Sequence, residues 1–304
     1  MSWIAIVLLL VSACIHAGWN LLSKHQHPTA KFFLAASMAG VVCSSPCLVI
    51  FRRTLPAISA EMWALAVVSG GFQALYYLGL SKAYRNGDMS LVYPLARATP
   101  VLLVCLLSVA LGRGKTISPL CIVGMLILVP GCFILPMKRF DDLRLGNYLN
   151  TWVLFALAAA IGTTGYSLID DHVLREMRSS ADGGLGLKPH TAALIYIAII
   201  NIIAVLWLWG YVLLRKRLSR SAEEEPRLSL GKAALAGVFI YLGYTLILVA
   251  MGFARNVSYI VAFRQVSIPL GALLGVGVLK EGAHAPKGLG VLMTFTGLVL
   301  VAIG

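Results

Sequence analysis

The sequence predicts an all-α integral membrane protein, with ten transmembrane helices arranged as two inverted five-helix repeats. Three observations predict it. Of 304 residues, 59% are apolar and 12% are charged, about half the ~25% charge content of a soluble domain. Roughly ten apolar runs are each long enough to cross a bilayer. Short motifs also recur in the same order in the two halves of the chain.

A hydrocarbon core about 30 Å thick takes roughly 20 helical residues, because each residue rises ~1.5 Å and no backbone polar group can go unpaired in lipid. The runs are 3–23, 32–51, 62–84, 90–112, 117–136, 149–169, 190–214, 230–253, 257–279 and 287–304. The first has no basic residue ahead of it and is longer than a signal-peptide core, so it is read as retained. The longest gaps, 170–189 and 215–229, are rich in charge and are expected to be solvated. Within the first gap, Val173, Leu174 and Met177 keep a helical spacing that prolongs the sixth helix by a turn or two before the glycines stop it. Little of the chain remains for a soluble domain. The six cysteines all fall inside the runs and read as small buried hydrophobes; no metal or other cofactor is expected.

The formal charge of +13 would suit nucleic acid in a soluble protein. Here the basic residues sit mostly between apolar runs, where they anchor helix ends to lipid headgroups. Membrane lipid is therefore the expected surface partner, and nucleic acid is not expected.

The repeat is visible residue by residue. AGWNLLSK at 17–24 matches TGYSLIDD at 164–171, a shift of 147. Tyr76 and Tyr77 match Tyr244 and Thr245 at a shift of 168; RNGDMS precedes LARATP in one half as RNVS precedes FRQVSIP in the other. Gly124 and Gly131 correspond to Gly290 and Gly297, both at a shift of 166. The halves are 1–136 and 149–304, joined by a linker over 137–148. Because five spans is an odd number, the second copy enters the membrane from the opposite side. Such architectures place a substrate site near the midplane between the copies and give alternating access when one copy rocks against the other.

The stretches HAGWNLLSK, YYLGLSKAYRNGDMSLVYPLARATPVL and LKEGAHAPKGLGVLMTFTG resemble the drug/metabolite transporter superfamily in its ten-helix EamA-like branch. The resemblance covers essentially the whole chain. It implies two EamA-type repeats around a central cavity that carries small metabolites or drugs across a plasma membrane, the cell (inner) membrane. One departure stands out: LGRGK occupies the place after the fourth helix where the family often carries a Glu, whereas Glu281, beside Lys280, keeps the equivalent in the second repeat.

Arg97 and Arg264 lie inside the fourth and ninth runs at nearly equivalent places, each followed by a proline, Pro100 or Pro269, that can open a local kink. A charge at the bilayer centre costs about 2.5–3.5 kcal/mol on insertion scales, so such a residue faces a cavity or a partner. The pair is expected to present cationic forks to a carboxylate or phosphate; bonding to helix-end carbonyls is the structural alternative. His16 and Asn20 share one helix face, with Thr163 and Ser167 as their repeat counterparts. This matched polar stripe either joins helices or lines the cavity, in which case His16 could titrate near neutral pH. Tyr76, Tyr77, Tyr166, Tyr241 and Tyr244 offer rings with hydroxyls for the wall, and Gln73 and Gln265 could orient a polar substrate. Gly271 and Gly275 form a small-residue surface for a neighbouring helix or a homodimer seam.

All twelve carboxylates fall in gaps or at run ends by this division, which disfavours a cation pump driven by a buried acid; Asp170 is the remaining candidate for coupling. HExxH, GxSxG, P-loop and paired intramembrane aspartate motifs are absent from the sequence, so an enzyme is not expected. The expected function is a multi-pass carrier for a small anionic or zwitterionic metabolite. The alternatives are a flippase for a phosphate-bearing lipid and, further off, a membrane-embedded lipid-modifying enzyme.

Overall fold

The computed structural model describes residues 1–23, 29–86, 89–137, 139–140, 151–181, 183–218, 228–270 and 284–304, with 17–23, 84–86 and 89–94 as backbone alone. The helices are α1 (Trp3–Ser23), α2 (Ala30–Ile50), α3 (Ala60–Asn86), α4 (Met89–Ser108), α5 (Pro119–Ile134), α6 (Thr151–Arg178), α7 (Pro189–Leu218), α8 (Leu230–Met251), α9 (Val257–Phe263) and α10 (Ala285–Ile303). No strand occurs among the described residues. Seven of these helices, α2, α3, α4 with the turns that follow it, α6, α7, α8 and α10, are long and apolar enough to cross a membrane. α1, α5 and α9 are apolar over shorter described stretches.

Local chemistry sets the helix ends. Thr29 accepts a hydrogen bond from the Phe32 amide at 3.2 Å to start α2. Ser118 accepts from the Cys121 amide at 3.0 Å, with Pro119 at the first position of α5, and Asn256 accepts from the Ser258 amide at 2.8 Å to start α9. Each satisfies a backbone donor that the helix leaves open. α4 stays helical through Pro100 and ends in a π-turn, Val109–Arg113, where Gly112 takes φ of 77°. The opening expected before Pro269 takes the form of a 3-10 turn over Arg264–Val266, and helix resumes to Leu270.

The distribution of side chains is that of a molecule surrounded by apolar solvent. Trp3, Val42, Ile50, Leu106, Leu154, Leu206, Trp207 and Phe295 face outward, while Gln73, Arg97, Thr163, Ser167, Asp170 and Asp171 are buried. In water this arrangement would be a severe liability; in lipid it is what burial of polar groups requires.

The sixth apolar run ends at 169, and α6 continues past it to Arg178, as the spacing of Val173, Leu174 and Met177 led us to expect, with Asp170, Asp171, Val173, Leu174 and Met177 all buried. The charged pair lowers hydropathy without ending the helix, because neighbouring side chains bond both oxygens of Asp170 and Oδ2 of Asp171, leaving only Asp171 Oδ1 without a partner among the described residues, and Arg175 and Arg178 suit the negative end of the helix dipole. The chain then folds back, with the Gly186 amide bonded to Ser179 O at 2.7 Å and the Leu187 amide to Met177 O at 3.0 Å. Most of 170–177 is therefore packed, whereas the described residues of 179–189 are exposed or half-buried, as expected for that part of the gap.

α3 packs on α6 and α7, α1 on α8, α2 on α7 and α8, α4 on α6 and α9, and α5 on α10. Residues 1–2 and 302–304 meet at one end: the Met1 amine donates to Ala302 O at 3.2 Å and Ser2 Oγ to Phe253 O at 2.9 Å. The α5–α10 seam is backbone against backbone. A Cβ on Gly124 would stand 2.7 Å from Gly297 O, and one on Gly297 would stand 2.6 Å from Gly124 O.

That seam yields a prediction. G297L inserts a side chain where no space exists and is expected to destabilise the protein by about 1–3 kcal/mol, read as a lower melting temperature in detergent. G288L, at a position with open space around it, should melt close to wild type.

Candidate functional site

Two arginines from opposite halves of the chain are brought together through one serine. Arg97 is 8% exposed; its Nη1 lies 2.8 Å from His16 Nε2, and its Nη2 donates to Ser267 Oγ at 2.9 Å. Ser267 Oγ in turn donates to Arg264 O at 3.2 Å. A guanidinium has donors only, so His16 Nε2 accepts, and the neutral ring carries its proton on Nδ1. Arg264 Nη2 donates to Tyr166 OH at 3.4 Å, and its guanidinium carbon sits 5.7 Å from the Tyr244 ring centroid. Arg97 Nε and Arg264 Nη1 are buried and have no hydrogen-bond partner among the described residues. No carboxylate pairs with either guanidinium among those residues.

Rings surround Arg264 as a consequence of the α3–α6 contact. A Cβ on Gly79 would lie 2.8 Å from Phe155 O, and one on Gly162 would lie 2.7 Å from Phe72 O, so the two backbones run close enough for Tyr76 to reach Tyr166. Their centroids are 6.1 Å apart. Tyr166 meets Tyr244 edge to face at 5.6 Å, Tyr76 meets Tyr77 at 5.3 Å, and Tyr77 stacks on Phe33 at 4.8 Å. The wall thus runs from α2 through α3 and α6 to α8.

The polar residues expected in the site have mixed placements. Ser167 is buried, with Oγ unpartnered among the described residues. Gln265 spends its amide on Val261 O at 3.0 Å and leaves Oε1 unpartnered; Gln73 Oε1 is likewise buried and unpartnered. Tyr241 instead sits beside Cys43 and Cys47 of α2. The Asn20 side chain, Gly271, Gly275, Lys280 and Glu281 lie outside the described residues.

Sequence reasoning placed Asp170 and Asp171 at a span end, and both lie inside the bundle, 0% and 1% exposed. Asp170 Oδ1 accepts from Tyr196 OH at 2.7 Å and from Ser69 Oγ, while Oδ2 accepts from Tyr244 OH. Asp171 turns the other way: its Oδ2 accepts from Arg113 Nη1 and Arg175 Nε, both at 2.8 Å. Arg113 belongs to the LGRGK segment, which thereby supplies a cation to Asp171. Arg175 also donates to Arg255 O at 3.1 Å, and Asn256 Nδ2 to Thr116 Oγ1 at 2.9 Å. Tyr259 OH accepts from the Ser118 amide at 2.9 Å and donates to Gly304 O at 3.4 Å. Together these bonds tie the end of α4, the end of α6 and the start of α9 at the face where residues 1–2 and 302–304 meet.

No protein-family profile matches the chain, and no curated protein does. The fold is shared with solved structures. One, described no further than as the crystal structure of a protein, aligns over 98% of this chain and 97% of its own with a TM-score of 0.65 and 16% identity. At that identity the likeness is one of fold. The described residues form an all-helical bundle, seven of whose helices have the length and apolar character of membrane spans, around a buried, doubly cationic, tyrosine-walled cluster.

Asp171 is buried between cations that are each about one third exposed, which sets the next expected outcome. R113Q and R175Q should each be mild, because one guanidinium remains. The double variant should lose about 1–3 kcal/mol, more than the two singles summed, because it removes both bonded cations from a buried carboxylate and leaves Arg178 acting on it only through its field. Denaturant unfolding in mixed micelles measures it.

Proposed function

We propose that the protein is a carrier of the drug/metabolite transporter superfamily, in its EamA-like branch. On this reading, ten spans form two inverted five-helix repeats that move a small anionic or zwitterionic metabolite across the cell membrane by alternating access. The observation that carries the reading is the state of the two arginines: both guanidinium groups lie within the bundle and neither has a carboxylate partner among the described residues. A guanidinium cannot discard its charge, and a lone charge in a bilayer core is expensive. An anionic group on the cargo supplies the missing countercharge. The unpartnered Nη1 of Arg264 is the natural contact, with Tyr76, Tyr77, Tyr166, Tyr244, Ser167 and Gln265 as walls. Arg97, held by His16 and Ser267, orients the second cation and adds its field.

The helix pairings support the inverted repeat. Exchanging α1–α5 with α6–α10 turns the α1·α8 pair into α6·α3 and the α2·α8 pair into α7·α3, and returns α2·α7, α4·α9 and α5·α10 to themselves. Those exchanges fit a two-fold relation between the halves, such as an inverted repeat has, while the α4·α6 pair is far more extensive than its counterpart α9·α1. The bonds that tie α4, α6 and α9 at one face fit a carrier closed on that side.

A counterflow screen in proteoliposomes with organic anions, amino acids, phosphorylated metabolites and amines tests the reading. An anion or zwitterion is expected to exchange. R264A should slow that exchange at least ~10-fold, the value of one lost charge-assisted hydrogen bond of about 1.5–3 kcal/mol; R264K should recover part of it. Exchange of amines alone, or wild-type rates in folded R264A and R97A, would sink the proposal. Movement of a phosphate-headed lipid between leaflets, without solute exchange, would point to a flippase.

A further inference from the structure

We propose that Asp170 is a proton-binding site, and that the proton it takes up moves with the anion held at Arg264. The coupling rests on the carrier reading; proton binding by Asp170 does not.

The geometry separates two adjacent carboxylates. Asp171 is bonded to two guanidinium groups, which can only donate and so suit only the ionised acid. Asp170 is surrounded by hydroxyls: Ser69 from α3, Tyr196 from α7 and Tyr244 from α8. A hydroxyl both donates and accepts. With Asp170 ionised, all three donate to it. With Asp170 protonated, its O–H donates to one hydroxyl oxygen, whose own hydrogen turns away. The same three side chains therefore serve both states without moving a helix.

The position also favours exchange of a proton. Ser69 is nine residues from the start of α3, Tyr196 seven from the start of α7, Tyr244 seven from the end of α8 and Asp170 eight from the end of α6. At 1.5 Å per residue, that places the group roughly 10–14 Å inside the bundle. A carboxylate held there with no ion-pair partner among the described residues is costly, and taking up a proton removes the cost.

Tyr244 joins this acid to the arginine cluster. Its hydroxyl donates to Asp170 Oδ2, and its ring faces the Arg264 guanidinium at 5.7 Å. The charged and titratable groups that face Asp170 are Tyr196, Tyr244 and Arg264; the turn after α4 presents Arg113 to Asp171 instead. Arg264 makes no contact with Asp170, but it is the cation whose field reaches an ionised Asp170. An anion that lands on Arg264 competes with the carboxylate for that charge, and a proton on Asp170 ends the competition. Anion and proton favour each other's binding, by the same factor in both directions. The O–H bond forms with a proton from the compartment the site faces and breaks to the opposite compartment. A monovalent anion and one proton cross as a neutral pair.

Two measurements decide it. Infrared difference spectra of the purified protein in nanodiscs, recorded through a pH titration, should show a carboxylic-acid carbonyl band that is lost in D170N, kept in D171N and moved in frequency in Y244F. A titrating band that persists in D170N overturns the proton site. In proteoliposomes, a solute carried with one proton accumulates about tenfold per unit of pH difference. The ratio of that accumulation to exchange, measured with the solute found by counterflow, should fall about tenfold in D170N and hold in D171N. An equal ratio in D170N and wild type overturns the coupling. Failure of the wild type to exchange any solute removes the carrier reading and the coupling with it, while the infrared band still decides whether Asp170 binds a proton.

Discussion

A guanidinium keeps its charge wherever the chain places it, and this bundle buries two without giving either a carboxylate among the described residues. Much of the interior follows from that constraint. His16 is held as an acceptor, Ser267 passes a hydrogen bond from one arginine to the backbone of the other, and aromatic faces stand where a hydrocarbon wall would leave the cation bare. A bilayer offers no water to complete the set. The polar groups on α1, α3, α4, α6, α8 and α9 must meet one another, and the close approaches at Gly79 and Gly162 are what let them.

Asp170 and Asp171 show how much one step along a helix can change. Successive side chains point about 100° apart, given ~3.6 residues per turn. One carboxylate therefore faces hydroxyls from α3, α7 and α8 while its neighbour faces the arginines at the closed face. The pairing of Asp171 with Arg113 and Arg175 is a lock between the two halves of the chain, because Arg113 follows α4 and Asp171 belongs to α6. The groups around Asp170 are hydroxyls without permanent charge, whereas those bonded to Asp171 are cations.

The helix ends lay close to the surface of the sequence. Apolar run length set α1 at 3–23 and α8 within two residues, and capping side chains such as Ser118 and Asn256 stand where the helices begin. The matched glycines at 124, 131, 290 and 297 were visible as spacings, and they line the α5–α10 seam. The depth of Asp170 was not legible, since a hydropathy count stops at two adjacent aspartates, although Val173, Leu174 and Met177 carry the helical period past them. Ser69 and Tyr196 gave no signal at all. Each is one of several polar residues in an apolar run, and what singles it out is convergence on Asp170 across separations of 101 and 26 residues, which no local pattern encodes.

On the carrier reading, the differences between the halves matter as much as their likeness. Two identical inverted repeats would exchange conformations to give states of equal free energy facing either side, with no preference for one. Any bias must come from positions the repeat does not share. By the shift of 147, Asp170 and Asp171 stand opposite Ser23 and Lys24, so both buried acids belong to one half only. The lock that closes the face bearing residues 1–2 and 302–304 uses one of them, and the proton site uses the other. On that reading the repeat supplies two accessible states, and this adjacent, unrepeated pair of carboxylates is what would make them unequal.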